Sequence, residues 1–364
     1  MNNSDIQVLR AQIDDIDREL LEFLNRRMSL SSEIGHLKNS QNKEVLDSER
    51  EQQVISRLVA SNTGPLQEVT LRAIYREIFS GSRLLQVPMK VAFLGPVGTY
   101  AHEAAIERFG HSASHLPCSS VSEIFDEVDQ GGATFGVVPV ENSIEGSVRE
   151  TLDLLMTSRV AACGEISVRI SHALMNSSGK IEDIRVVMSH WQALAQCRQW
   201  FAQNFPGIPV QEVPSTARAA QIAREDLGVA AIANERLAAE LGLQILRRGI
   251  QDRAENLTRF LVLGREKPRP TGRDRTAIVF WTEDRPGALF KILQKFASAK
   301  INLTRIESRP DKKGSMPWKY AFFVDLEGHR DDPNVSSCLE EMSTRQTLVK
   351  IIGSFPVHSL STGE

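Results

Sequence analysis

The chain has 364 residues, 41% apolar and 24% charged, with a net charge of −3. That composition suits a soluble globular protein, and the length exceeds one ordinary core, so two or three domains are expected. The near-neutral balance argues against a general nucleic-acid binder, and no apolar run reaches the roughly 18 residues of a membrane span.

The opening MNNSDIQVLRAQIDDID is charged and lacks the apolar core of a signal peptide. Cys118, Cys163, Cys197 and Cys338 lie far apart and form no CxxC; they read as reduced thiols in a cytoplasm. No metal site is expected. His111 and His115 have helical spacing but sit in the loop-like stretch GHSASHLPCSS.

Residues 5–87 read as helix. Ile6, Leu9, Ile13, Ile16, Leu20 and Phe23 alternate steps of three and four, the mark of a long amphipathic helix with a coiled-coil-like seam. Extended to about Leu37, it would be roughly 48 Å long. A domain of this size has no use for that length alone, which predicts a partner chain. A second helix is expected from about Leu46 to Ala60, broken by SNTGP, and a third from about Leu66 to Leu85, ended by VP.

Residues 89–267 alternate apolar runs with helical patterns. KVAFLG, FGVVPV, DIRVVM, LGVAAIA and RFLVL read as strands; HEAAIERF, VRETLDLLM, QALAQCRQWFAQ, ARAAQIA and NERLAAEL read as helices. This predicts an α/β fold with a largely parallel sheet, ligands binding where strands end. KPRPTGRDR (267–275) reads as a linker. TAIVFWT, ALFKILQKFASA, INLTRIESRP, KYAFFVDLEG, VSSCLEEM and LVKIIGSFP then give a ferredoxin-like βαββαβ order.

Polar groups stand where the helical stripes call for core. The seam of the first helix runs on to Arg27, and Lys38 lies about 20° away around it. Asp47, Arg50, Glu51, Val54 and Leu58 form one stripe of the second helix, and Ser82 and Gln86 continue the face of Ile74 and Ile78 on the third. Buried charges need partners. Interhelix salt bridges would provide them, and so would a ligand with two carboxylates.

VLRAQIDDIDRELLEFLNRRMSLSSEIGHLK, LDSERE and SRLLQ resemble the helical chorismate mutases over about 85 residues. The resemblance implies an all-α intertwined dimer without a cofactor. Arg10 would reach into the partner's site, Arg27 and Arg50 would hold carboxylates, and Lys38 and Gln86 would donate to the ether oxygen of the breaking bond. Asp47, Glu51 and Ser82 would bind the substrate hydroxyl and its surroundings. The chemistry suits those residues. The rearrangement of chorismate to prephenate is unimolecular and needs only conformer selection and stabilised negative charge.

Polar clusters end the strands of the middle zone: GPVGTYAHE, VENSIEGS, SHWQALAQ, PSTAR and ENLTRF. Ser189 with Gln192, and Ser215 or Thr216, have helix-cap spacing; five clusters at such junctions also fit one crevice. FLGPVGTYAHEAA, GVVPVENSIEGSV, VVMSHWQALAQC, STARAA and ENLTRFLVL resemble prephenate dehydratase, with Trp191 where that family usually has proline. The resemblance implies two α/β lobes like those of periplasmic binding proteins, with Thr258 as the residue most tied to catalysis. Expelling hydroxide and carbon dioxide together makes the ring aromatic, so the enzyme need only help the hydroxyl leave. Thr258 would donate to it, and Glu141 would be the proton source behind Thr258 if burial raised its pKa. Asn142, Ser143, Ser189, Gln196, Ser215 and Thr216 would position substrate. Arg259 would bind a carboxylate or be structural. His102 and His190 carry no weight in that family.

EDRPGALFKIL and ESRP resemble the ACT domain appended to prephenate dehydratases. The resemblance implies a phenylalanine site at a subunit interface, from Gly287, Ala288, Leu289, Glu307, Ser308 and Arg309. Gly287 is expected where a bulky side chain would block close backbone approach. The alternative is a unit used only for dimerisation.

The expected organisation is a helical mutase domain at 1–88, a dehydratase domain at 89–267, a linker at 268–275 and an ACT domain at 276–364. The expected protein is cytoplasmic, at least dimeric and without cofactors. It takes chorismate to prephenate and prephenate to phenylpyruvate, under inhibition by phenylalanine. One rival is a preference for arogenate, whose amino group replaces a keto group; a carboxylate placed to meet that ammonium would discriminate the two. Another is a non-catalytic amino-acid sensor, against which Thr258, Lys38 and Gln86 speak.

Overall fold

The computed structural model describes residues 3–40, 48–253, 255–282, 285–310, 320–343 and 347–358. The chain divides into two compact units, Met1–Met89 with Phe109–Ser114, and Lys90–Arg108 with His115–Glu364.

The first unit is built on α1 (Asn3–Ser40), α2 (Ser48–Ser61) and α3 (Glu68–Gln86). Val87, held extended ahead of Pro88, ends α3. The seam of α1 stands largely in solvent in the single chain, with Ile16 at 61% and Phe23 at 65% exposure. An apolar stripe of that length left open marks an interaction surface.

The second unit begins with a lobe of β1 (Lys90–Leu94), α4 (Tyr100–Phe109), β2 (Ser114–Cys118), α5 (Val121–Gln130), β3 (Phe135–Asn142), β4 (Gly146–Ser147), α6 (Arg149–Thr157) and β5 (Ala161–Arg169). A second lobe follows, with β6 (Ala173–Asn176), β7 (Val186–Ser189), α7 (Trp191–Gln196), α8 (Arg198–Asn204), β8 (Val210–Glu212), α9 (Thr216–Glu225), β9 (Val229–Ala233), α10 (Glu235–Leu241) and β10 (Gln244–Arg247). The chain then returns to the first sheet as β11 (Leu257–Gly264). The orders are β2-β1-β3-β11-β5 and β10-β6-β9-β7-β8.

These sheets correct the expectation of a largely parallel one. β1 and β3 are parallel, but β11 runs antiparallel to both β3 and β5. In the second sheet β7 is parallel to β8 and β9, while β6 and β10 add antiparallel pairs. The cause is topological. The returning β11 enters the first sheet between strands that point the other way. The stretch QALAQCRQWFAQ is also two helices, because Cys197 leaves the helical region at φ −110°, ψ 10°.

A third sheet holds β12 (Asp274–Trp281), β13 (Leu303–Pro310), β14 (Tyr320–Glu327) and β15 (Leu348–Pro356), in the order β13-β14-β12-β15. Its helices are α11 (Ala288–Ser298) and α12 (Pro333–Met342). β12 begins inside the stretch read as linker. One face of the sheet packs Ile278, Phe280 and Val324 against Ile292, Phe296 and Leu339 of the helices. The other packs Val279, Phe323 and Phe355 into one core with Ala162, Leu261 and Leu263 of the first lobe. Gly353 lies so close to β5 that a Cβ there would collide with the Ala162 carbonyl.

Candidate functional site

The end of β11 sorts its own residues. Successive strand side chains point to opposite faces, so Thr258 and Arg259 part company. Thr258 faces a cavity of about 490 Å³ between the two lobes. Arg259 faces the third sheet, with Nε on Glu165 at 2.8 Å and Nη1 on Asp325. Burial works against the Arg259 charge, but Asp325 and Glu165 outweigh it and raise its pKa above the ordinary value. Of the two readings left open for Arg259, this geometry serves the structural one.

The same alternation corrects the placement of Glu141. It is paired with Arg259 in register on β3, and its carboxylate lies 3.6 Å from Arg305 Nε. It does not stand behind Thr258. Asn142, one residue on, does. Its Nδ2 donates to Thr258 Oγ1 at 2.9 Å and to Asn256 Oδ1 at 2.8 Å. Because Oγ1 accepts from Asn142, the Thr258 hydroxyl hydrogen is left to point into the cleft.

Gln196, Ser215 and Thr216 line the cleft as expected. Ser215 caps α9, accepting from Arg218 N–H at 3.0 Å. Two expected residues do other work. Ser189 is fully buried and donates to the Ile232 carbonyl at 2.5 Å. Ser143 fixes the corner between β3 and β11, accepting from Leu257 N–H at 3.0 Å. His102 is stacked on Phe93, with ring centroids 4.7 Å apart, and is not among the cleft lining; His190 is.

The cleft also holds residues the sequence did not single out. Gln196 Oε1 meets Asn256 Nδ2 at 3.1 Å and His172 Nε2 at 2.9 Å, and His172 Nδ1 meets the Tyr100 hydroxyl at 3.3 Å. Burial lowers the His172 pKa, against a smaller opposing effect of the Gln196 bond. Burial raises that of Tyr100 well above 10. Glu145 reaches across from the first lobe to Gln192 and Gln196 of the second. Tyr100, Glu145 and Ser147 lie inside quoted motifs, but nothing local marks them; His172 follows no motif at all. Cys197 is no nucleophile, since burial, and then Asp252, push its thiol up to about 12.

In the helical unit, Arg27 Nη1 donates to Ser82 Oγ at 2.5 Å and its guanidinium sits 5.4 Å from the Phe79 ring centre. Burial lowers the Arg27 pKa, with Tyr75 and Glu51 opposing. Gly35 lets α3 come close, since a Cβ there would meet Gln86 Cγ at 2.6 Å. Gln86 Oε1 is buried with no partner. Glu51 is taken by Arg83 at 2.5 Å, a buried cation inside the SRLLQ motif; Arg83 also donates to the Phe109 carbonyl at 2.9 Å. Lys38 is half-buried, whereas Arg50 and Arg10 are exposed. Asp47 lies outside the described residues. Arg10 stands 17 residues before Arg27 on one helix, about 25 Å along its axis, so one chain does not bring them together.

In the third sheet, Gly287 caps α11 at φ +79° and a Cβ there would meet nothing within 4 Å. The reason for glycine is its left-handed backbone, not close approach. Ala288 is buried and Leu289 packs on the helix-side core. Glu307 and Arg309 pair in register with Phe323 and Ala321, on the first-lobe face. Glu307 meets Arg305 Nη2 at 2.5 Å and the Ser147 hydroxyl of the cleft. Arg309 bonds Asp153 at 2.9 Å. Ser308, exposed, pairs with Phe322 on the helix face. Within one chain the GAL turn and the Glu307 and Arg309 side chains therefore lie on opposite faces of the sheet.

Residues 9–87 match the chorismate mutase type II family, 91–268 the prephenate dehydratase family and 276–343 the ACT domain. The bifunctional chorismate mutase/prephenate dehydratase of Aquifex aeolicus is 44% identical over 356 residues, 97% of this chain and 98% of that relative. The chain belongs to the bifunctional chorismate mutase/prephenate dehydratase family. Both catalytic domains are present, and the reactions are chorismate to prephenate and prephenate to phenylpyruvate. The Arthrobacter aurescens prephenate dehydratase, solved in complex with L-Phe, aligns with a TM-score of 0.68 at 35% identity, covering 74% of this chain and 90% of that one. The arogenate dehydratase/prephenate dehydratase 2 of Arabidopsis thaliana is 38% identical over 293 residues, 77% of this chain and 74% of that relative.

Among the described residues no helix is long and apolar enough to cross a membrane, and no group of three or more His, Cys, Asp or Glu could hold a metal. His111 meets Glu77 at 3.0 Å, and His115 packs edge-on against His102.

Proposed function

We propose that the two reactions are divided between a mutase domain at 1–88 and a dehydratase domain at 89–267, with an ACT domain at 276–364 regulating the second. The observation that carries the dehydratase assignment is the Thr258 hydroxyl, presented to the cleft by Asn142. Thr258 donates to the departing hydroxyl. Asn142 fixes its direction, and the N-terminus of α9 at Ser215 and Thr216 offers its positive end to a substrate carboxylate. The two lobes follow the periplasmic-binding-protein plan, and the third sheet with its two helices follows the ferredoxin-like one.

In the mutase domain Arg27 and Arg50 hold the substrate carboxylates, and Lys38 with Gln86 donates to the ether oxygen, where negative charge grows. Asp47, Glu51 and Ser82 complete the polar lining, Glu51 being released from Arg83 or oriented by it. The exposed seam of α1 and the distance from Arg10 to Arg27 support an intertwined homodimer in which Arg10 serves the partner's site.

Phenylalanine binds at a subunit interface formed by Gly287, Ala288 and Leu289 of one copy with Glu307, Ser308 and Arg309 of another, and inhibits. The opposite faces of these groups in one chain and the edge position of β13 support an interchain site. The enzyme works in the cytoplasm without cofactors.

The decisive assay gives the purified chain chorismate, then prephenate, and follows phenylpyruvate. Wild type forms it from both. Thr258→Ala accumulates prephenate, with dehydratase turnover reduced at least about 100-fold. A wild type that stops at prephenate removes the dehydratase assignment.

A further inference from the structure

Asn256 is fully buried behind the cleft wall and is not among the residues that line it. It closes a ring of hydrogen bonds. Glu145 N–H donates to Asn142 Oδ1 at 3.1 Å, and Asn142 Nδ2 donates to Asn256 Oδ1 at 2.8 Å. Asn256 Nδ2 donates to Gln196 Oε1 at 3.1 Å, and Gln196 Nε2 donates to Glu145 Oε1 at 3.0 Å. Asn142 and Glu145 belong to the first lobe and Gln196 to α7 of the second. Every member donates in the same sense around the ring.

That sense is dictated at both ends. An amide side chain turned end over end exchanges donor for acceptor, but a main-chain N–H only donates. The N–H groups of Ile144 and Glu145 both point at Asn142 Oδ1, at 3.0 and 3.1 Å. They force Asn142 Nδ2 the other way, where its two hydrogens go to Asn256 Oδ1 and to Thr258 Oγ1. Asn256 must then give its Nδ2 to Gln196. At the far end an ionised carboxylate accepts only, so Glu145 holds Gln196 by its Nε2. Gln196 Oε1 keeps one lone pair, and His172 Nε2 lies 2.9 Å from it. The neutral His172 ring therefore carries its proton on Nε2. Its Nδ1 is the acceptor and faces the Tyr100 hydroxyl, which also meets the Ser171 carbonyl at 2.6 Å.

We propose that Asn256 and His172 are positioning residues for the dehydration of prephenate: they hold the ring in one sense, so that the Thr258 hydroxyl meets the substrate as a donor. The proposal rests on the dehydratase reading of the cleft and deepens it. With the ring reversed, Asn142 would turn its carbonyl oxygen to Thr258. The hydroxyl would then donate to Asn142 and offer the departing hydroxyl only a lone pair. Neither Asn256 nor His172 is asked to give or take a proton.

The test reads the sense of the ring and then breaks it. In the full-length protein with isotope-labelled histidine, the His172 signals, assigned by their loss in His172→Gln, should show the Nε2–H tautomer at neutral pH. An Nδ1–H tautomer in wild type overturns the proposal. Asn256→Asp keeps the shape and the acceptor for Asn142 but removes the donor to Gln196. Its kcat on prephenate should fall about 10- to 100-fold with KM moved less than about threefold, and His172 should change to the Nδ1–H tautomer. An unchanged kcat, or a loss confined to KM, overturns the proposal. Should Asn256→Asp fail to fold, two substitutions of His172 decide. His172→Gln can place an N–H where Nε2 stands and should keep kcat within about fivefold of wild type, whereas His172→Ala should lose about 10-fold or more. Equal losses in the two overturn the proposal. A wild type that forms no phenylpyruvate from prephenate removes the dehydratase reading itself; an active wild type with an indifferent Asn256→Asp removes only this one.

Discussion

The helical unit and the dehydratase cleft solve the same problem, holding a small dicarboxylate, with different amounts of chain. The cleft is complete in one copy. Thr258, Asn142, Gln196 and Ser215 converge from two sheets that share the same compact unit. The helical unit is more open. Its seam is open and Arg10 lies about 25 Å along α1 from Arg27. Two lobes can enclose a ligand by packing on each other, whereas three helices with an exposed stripe leave apolar surface in solvent. The difference teaches that one chain can carry an enclosed cleft and, beside it, an apolar seam open to a partner.

The sharpest way to break this comparison is by mixing. Lys38→Ala and Arg10→Ala should each lower mutase turnover at least 100-fold, with the dehydratase intact. Unfolded and refolded together, the two inactive variants should regain about a quarter of wild-type mutase activity. Half of the dimers are then mixed, and each mixed dimer has one site free of both changes. No recovery would mean that Arg10 serves its own chain.

The next test concerns what makes the second unit self-sufficient. Arg259→Ala would take from Glu165 and Asp325, each 4% exposed, the guanidinium they share, leaving Arg275 on Glu165 and Arg305 at 4.0 Å from Asp325. Removing one partner of a buried charge network costs roughly 3–5 kcal/mol. Calorimetry should show the dehydratase transition falling by many degrees, while mutase turnover at low temperature persists. An unmoved transition would show the cluster to be dispensable.

A smaller effect follows from His172. Its folded-state pKa lies below the ordinary 6.5, chiefly through burial. The unfolded chain therefore takes up the proton first. The stability contributed by neutral His172 is complete above about pH 6.5 and is lost as pH falls below it. Wild type should lose more stability than His172→Gln between pH 7 and 5.5, by no more than about 1.4 kcal/mol per pH unit. Parallel curves would place the ring outside the cooperative core.

Much of this was legible in the sequence. The α1 seam, the stops at SNTGP and VP, and the strands VAFL and RFLVL are local patterns with local causes. Arg27, Ser82 and Gln86 were visible as polar residues on apolar stripes, and Thr258 as a hydroxyl at a strand start. The family resemblance supplied their roles. Glu141 was misplaced because a motif names residues without giving them a face. Period-two alternation alone separates Glu141 from Asn142 and Arg259 from Thr258, so the sequence carried half of that correction.

By itself, then, the sequence determined the three helices of the first unit, the strands β1, β3, β7, β9 and β11 and the elements of the third sheet, but not β2, β5, β6, β8, β10 or α5; it also determined the family and which residues are chemically able to act, because propensity, periodicity and side-chain chemistry are local. Only the tertiary structure decided that β11 enters the first sheet antiparallel, that Arg259 and Glu141 serve the third sheet, and that Glu145 and His172 border the cleft. Those outcomes depend on which faces meet across contacts about 100 residues apart, such as Asn142 with Thr258 and Glu165 with Arg275. No window of sequence contains both sides of such a contact.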